Sequence, residues 1–91
     1  MAKGTATIDF GASPGGNTTS LAITGQTAIL TTSFVEAFIM GDSTADHNVD
    51  EHLLAPFRLA CGVPTAATGF TIYATSDMVL TGTFKVRWVW D

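Results

Sequence analysis

Apolar and polar residues alternate with period two along several short stretches of this chain. The longest spans residues 80–91. Leu80, Phe84, Val86, Trp88 and Trp90 share one face, and Thr81, Thr83, Lys85, Arg87 and Asp91 share the other, where Val89 is the one apolar residue. Side chains on an extended strand point to opposite faces in turn, so the pattern predicts a long β-strand covering an apolar core. Two indoles in the last four residues require this segment to be packed down, in its own domain or against a partner. Residues 5–10 alternate in the same way, with Ala6, Ile8 and Phe10 on the apolar side. Residues 19–24 predict a second strand with Leu21 and Ile23 inward, and residues 28–30 a short third strand or edge piece. In 57–61 the inward residues are Phe57, Leu59 and Cys61, and in 70–75 they are Phe70, Ile72 and Ala74.

Between these segments, Gly, Pro and Asn mark turns at 11–17 and 62–69, and Ser76-Asp77-Met78 reads as a turn into the final strand. No long helical period is present, and residues 52–55 suit at most a single helical turn. About seven short strands with turn signals roughly every ten residues predict an all-β chain. The expected architecture is a single antiparallel β-sandwich or jelly-roll-like domain spanning 1–91. Its predicted core holds Ile8, Phe10, Leu21, Ile23, Phe70, Ile72, Phe84, Val86 and Trp88.

Residues 33–40 break the alternation, because they are apolar on both faces apart from Glu36. Phe34, Phe38 and Met40 share one face, and Val35, Ala37 and Ile39 the other. A small sandwich covers only one such face. The other, about Val35, Ala37 and Ile39 or about Phe34, Phe38 and Met40, would expose an apolar patch that isolated soluble proteins avoid, so Phe34, Val35, Phe38, Ile39 and Met40 are candidate interface residues.

Composition strengthens this expectation. Ninety-one residues make one small domain with a thin stability margin, and Cys61 is the only cysteine, so no internal disulfide supplements it. Cys61 reads as a small buried hydrophobe. Oligomerisation is the remaining supplement. The charged fraction is 13% against 46% hydrophobic, so docking desolvates little charge. The net charge is −4, and Lys3, Arg58, Lys85 and Arg87 are scattered. A nucleic-acid binder needs a basic stripe, so direct nucleic-acid binding is not expected. No apolar run is long enough to span a membrane. The first residues lack the apolar core of a signal peptide, so a cytoplasmic product is expected unless it leaves within an assembly.

Residues 42–52 hold four of the eight acids and both histidines. Carboxylates near imidazoles can build a metal site. The spacing fails each known pattern. A calcium loop starting at Asp42 would have His47 where glycine is needed and Leu53 where glutamate is needed. His47 and His52 are one residue too far apart for H-x-x-E-H. The expectation is a solvated acidic loop with no structural metal and no cofactor. Asp46 and His47 stay candidates for an interface. No G-x-S-x-G elbow is present, and so small a chain frames no deep cleft, so no catalytic residue is assigned and an enzyme is not expected. Asp9 and Glu36 are expected to pair across the sheet with Arg58, Arg87 or Lys85.

The stretches Ala6-Thr7-Ile8-Asp9-Phe10-Gly11, Ile23-Thr24-Gly25-Gln26, Gly69-Phe70-Thr71-Ile72-Tyr73 and Gly82-Thr83-Phe84-Lys85-Val86-Arg87-Trp88-Val89-Trp90 resemble a group of small uncharacterised proteins of tailed bacteriophages. The resemblance covers most of the chain and carries no motif of known chemistry. It implies a structural virion protein, present in the virion and in the host cytoplasm during assembly. The leading form is a capsid decoration or cement protein partnered by itself, as a homo-oligomer, and by the major capsid protein. The alternative is a tail, neck or fibre component acting as a binding module for a host or carbohydrate. An exposed Trp88 or Trp90 would favour that alternative.

Overall fold

The computed structural model describes residues 2–54 and 56–91. The chain is mostly β. Strands β1 (Ala2–Asp9), β2 (Gly16–Ile23) and β3 (Val35–Ile39) precede one short helix, α1 (Val49–Leu54). Strands β4 (Phe57–Cys61), β5 (Phe70–Leu80) and β6 (Thr83–Trp90) follow. The strands form two three-stranded sheets, ordered β1-β6-β3 and β2-β5-β4, with every pairing antiparallel. The central strands β5 and β6 follow one another in sequence, so the chain passes from the middle of one sheet to the middle of the other through Thr81 and Gly82.

The alternation read from the sequence decides which residues are buried. Ile8, Phe84, Val86 and Trp88 from the first sheet meet Phe57, Phe70, Ile72 and Ala74 from the second in one core cluster. Aromatic rings join the two sheets edge to face. The Phe57 and Phe84 centroids lie 5.0 Å apart and those of Phe70 and Trp88 5.6 Å apart, the arrangement that ring quadrupoles favour. Leu21 and Ile23 are only half-buried against this core, because β2 is an edge strand.

Four expectations need correction. Residues 28–30 form no strand, so six strands are described where about seven are expected. Ile29 is nevertheless fully buried, plugging the core from a turn that carries no periodic signal. Ser76, Asp77 and Met78 continue β5 instead of turning, with Ser76 opposite Phe57 of β4 and, past a shift in the β2 register, Leu80 opposite Gly16. The helix starts three residues earlier than the expected turn over 52–55, of which Ala55 lies outside the described residues. The basic side chains also pair elsewhere. Lys85 meets Asp42 at 3.7 Å and Arg58 meets Asp77 at 3.3 Å, while the Asp9 carboxylate accepts the Gly11 N–H at 2.7 Å and so forms a local turn.

The doubly apolar segment sorts by face. Val35, Ala37 and Ile39 of β3 pack against the core, whereas Phe34 is 83% exposed and Phe38 43% exposed on the opposite side.

Candidate functional site

The polar loop before β4 is built around a gap in the first sheet. Phe34 and Asp91 exchange both backbone hydrogen bonds, at 3.1 and 2.9 Å, and the Met40 N–H reaches the Lys85 carbonyl at 3.1 Å. Antiparallel ladders alternate, so Glu36 with Val89 and Phe38 with Arg87 are the hydrogen-bonded pairs between. β3 ends at Ile39, but β6 begins at Thr83. Among the described residues, the backbone from Lys85 back to Thr81 therefore has no strand on that side.

Side chains of the loop fill the gap. The Lys85 N–H donates to His52 Nε2 at 2.9 Å. The Thr83 N–H and hydroxyl both donate to Asp46 Oδ2, at 2.9 and 2.7 Å, while the Thr83 carbonyl accepts the Thr44 hydroxyl at 2.8 Å. His47 Nε2 meets the Thr81 carbonyl at 2.6 Å. Four side chains thus replace the missing strand. Buried backbone groups need partners wherever the chain stops supplying them, so the cluster of His, Asp and Thr has a structural cause.

The sequence supports this locally. Asn48 caps α1. Its Oδ1 accepts the Glu51 N–H at 2.9 Å, and Glu51 Oε1 accepts the Asn48 N–H at 2.9 Å, a reciprocal capping box. The cap fixes a helix long enough to turn His52 inward. His52 is fully buried, with Nδ1 donating to the Asn48 carbonyl at 2.9 Å. A backbone N–H can only donate and a carbonyl can only accept, so the ring proton sits on Nδ1. The His47 ring stacks on Phe84 with centroids 4.0 Å apart, and its Nδ1 faces Glu51 Oε2 at 3.2 Å.

The electrostatics follow from these contacts. Partial burial pushes the His47 imidazole down, but the Thr81 carbonyl, Glu51 and Asp46 outweigh it, and its pKa is raised. The Thr83 hydroxyl and N–H lower Asp46, the Asn48 N–H and then His47 lower Glu51, and the Ser43 N–H and then Lys85 lower Asp42. Burial, with the charge of Glu36, pushes the Cys61 thiol up, away from the thiolate a reactive cysteine needs.

Each imidazole nitrogen in the loop already has a protein partner, and Asp46 and Glu51 are bonded to backbone. No group of three or more His, Cys, Asp or Glu among the described residues is placed to hold a metal ion. The arrangement is chemically a cap on β6. Asp46, Asp50 and Glu51 stay exposed as expected of a solvated loop, whereas His52 is buried and Asp46 and His47 are turned toward Thr83 and Thr81.

The other candidate residues lie apart from this loop. Phe34 and Phe38 stand on the outer face of the first sheet, where Val89 is the cross-strand neighbour of Glu36 and Arg87 that of Phe38. Met40 lies beside Phe38 in a shallow groove on that face with Lys3, Thr5 and Arg87. Val35 and Ile39 face the core instead. His52 is the residue that spacing alone misses. The Asn48-x-x-Glu51 capping signature was the available signal for the helix that buries it. No protein-family model, no characterised protein and no solved structure matches the chain. No helix among the described residues is long and apolar enough to cross a membrane.

Proposed function

We propose that the two sheets pack as an antiparallel β-sandwich and that the protein is a structural component of a tailed-phage virion, a decoration or cement protein of the head. The observation that carries this reading is the outer face of β3. Phe34 and Phe38 present aromatic surface to water beside Val89, on a chain whose stability margin is thin and whose charge is low. Covering such a face in an assembly removes apolar area from water at about 25 cal/mol per Å², and Lys3, Arg87 and Glu36 on the same face would need polar partners there. The sequence resemblance supplies the kind of assembly. The polar loop supports a structural role, because its titratable groups are engaged in holding β6.

The competing reading, a tail or fibre tip that stacks carbohydrate on tryptophan, has less support. Trp88 is buried, and the half-buried Trp90 donates its indole N–H to Gln26 Oε1 at 2.9 Å. The test is quantitative mass spectrometry of purified particles, with a heat challenge of particles lacking the protein. Many copies per particle and a loss of heat resistance are the expected results. A handful of copies, or particles of unchanged resistance, would overturn the decoration role.

A further inference from the structure

The ladder that ties β3 to β6 leaves its other edge open. Since Phe34, Glu36, Phe38 and Met40 turn their backbone groups toward β6, those of Val35, Ala37 and Ile39 point away from it. Among the described residues, none of these three makes a backbone hydrogen bond in a turn or loop. An open cleft runs along this edge between β3 and β4, lined by Val35, Ala37, Leu59 and Cys61.

Edge strands normally carry protection against pairing with another chain. β1 has Lys3 and Asp9, and β4 has Arg58 with Pro56 just before it, while the register of β2 with β5 shifts between Gly16 and Thr18. β3 has no proline, glycine, bulge or basic residue, and Glu36 is its one charge.

We infer that β3 pairs antiparallel with β3 of a second copy, joining two sheets into one continuous sheet ordered β1-β6-β3-β3-β6-β1. This rests on the assembly reading and names its first partner. The register is fixed by the chain's own pattern. Centring on Ala37 sets Ala37 opposite itself and Val35 opposite Ile39, so every free edge group of these residues finds a partner. On the outer face it sets Phe34 opposite Met40 and Glu36 opposite Phe38. The register centred on Glu36 would place the two Glu36 carboxylates directly opposite, which is destabilising, and the one centred on Phe38 would set Val35 against Gly41, beyond the end of β3. The contact is isologous and closes at two copies, because β3 is consumed on both sides.

The test measures solution mass by sedimentation at tens of micromolar, beside the variant Ala37→Pro. Proline removes an N–H that faces away from β6, so the intramolecular ladder is kept. Wild type should sediment at twice 9.5 kDa. Ala37→Pro should sediment at the monomer mass with an unchanged β-sheet circular dichroism spectrum. The register is read separately in a Cys61→Ser background. Oxidising a mixture of Glu36→Cys and Phe38→Cys chains should cross-link them, and either alone should not cross-link. A monomeric wild type, or cross-linking that does not depend on mixing, would overturn the inference. A monomer in solution that is still abundant in particles would sink the edge pairing and leave the assembly reading standing.

Discussion

Trp88 occupies the space that a side chain at Gly4 would need. The two residues are cross-strand partners in the β1–β6 ladder, and a β-carbon on Gly4 would lie 2.7 Å from Cε2 of the indole. On its other side Trp88 faces Ala37 of β3. The indole is accommodated on the β1 side because Gly4 carries no side chain.

Gly4→Ala should therefore destabilise the fold by about 1–3 kcal/mol through overpacking. Trp88→Ala should cost about 3–5 kcal/mol, which leaves a small domain barely folded. Urea denaturation of both variants checks this. A Gly4→Ala protein as stable as wild type would show that the indole moves aside freely.

His52→Phe keeps a ring of similar size but deletes the acceptor for the Lys85 N–H. A buried unpaired N–H costs about 1–3 kcal/mol, so the melting temperature should fall. Leu53→Ala, next along the helix but 67% exposed, should change stability by about 0.5 kcal/mol or less. Equal melting of the two variants would remove His52 from the role of strand substitute.

The pH dependence of stability has two limbs. The His47 pKa is raised by folding, so its contribution is complete below the ordinary histidine value of about 6.5 and fades as pH rises through the folded value. Both ring nitrogens face acceptors, Thr81 and Glu51, and only the imidazolium donates to both. The pKa values of Asp42, Asp46 and Glu51 are lowered, so their contributions hold above about 4 and are lost as pH falls through the folded values. Melting temperature should peak at about pH 5–6. His47→Gln should flatten the decline above about pH 6.5 and weaken the acid limb only in part, because Asn48 and Thr83 still hold Glu51 and Asp46, a comparison made by calorimetry across pH.

Gly82 and Gly25 both adopt positive φ, 78° and 77°, but only Gly82 is crowded. A β-carbon there would lie 2.7 Å from Cβ of Asp46, whereas nothing lies within 4 Å at Gly25. Both alanine variants share the backbone strain, so their difference isolates the clash. Gly82→Ala should be the less stable by about 1–3 kcal/mol in denaturation. Equal losses would mean that the Asp46 loop yields without cost.

Most of the core was legible because strands alternate. Phe84-Lys85-Val86-Arg87-Trp88 and Phe70-Thr71-Ile72-Tyr73-Ala74 each write their buried face into every second residue. Ile29 was not legible, since it is buried from a turn, where no period marks the inward side. The loop over 42–52 shows a different limit. Its residue types suggested ion chemistry, and their true partners, the backbone groups of Thr81, Thr83 and Lys85, lie more than thirty positions away. Backbone needs of a distant strand leave no trace in local spacing. Phe34 and Phe38 were readable as part of a doubly apolar segment, but only the register with β6 shows which face they take.

The position of β6 also bears on the order in which the molecule is made. β6 lies between β1 and β3, yet it follows both in the chain, so the ribosome releases β1 and β3 before the strand that joins them exists. During that interval β3 has both edges open. The first sheet can close only after synthesis of β6, by long-range contacts of the kind that fold in milliseconds to seconds. Until then β3 is exposed to pairing with other chains, and slower translation would lengthen that exposure.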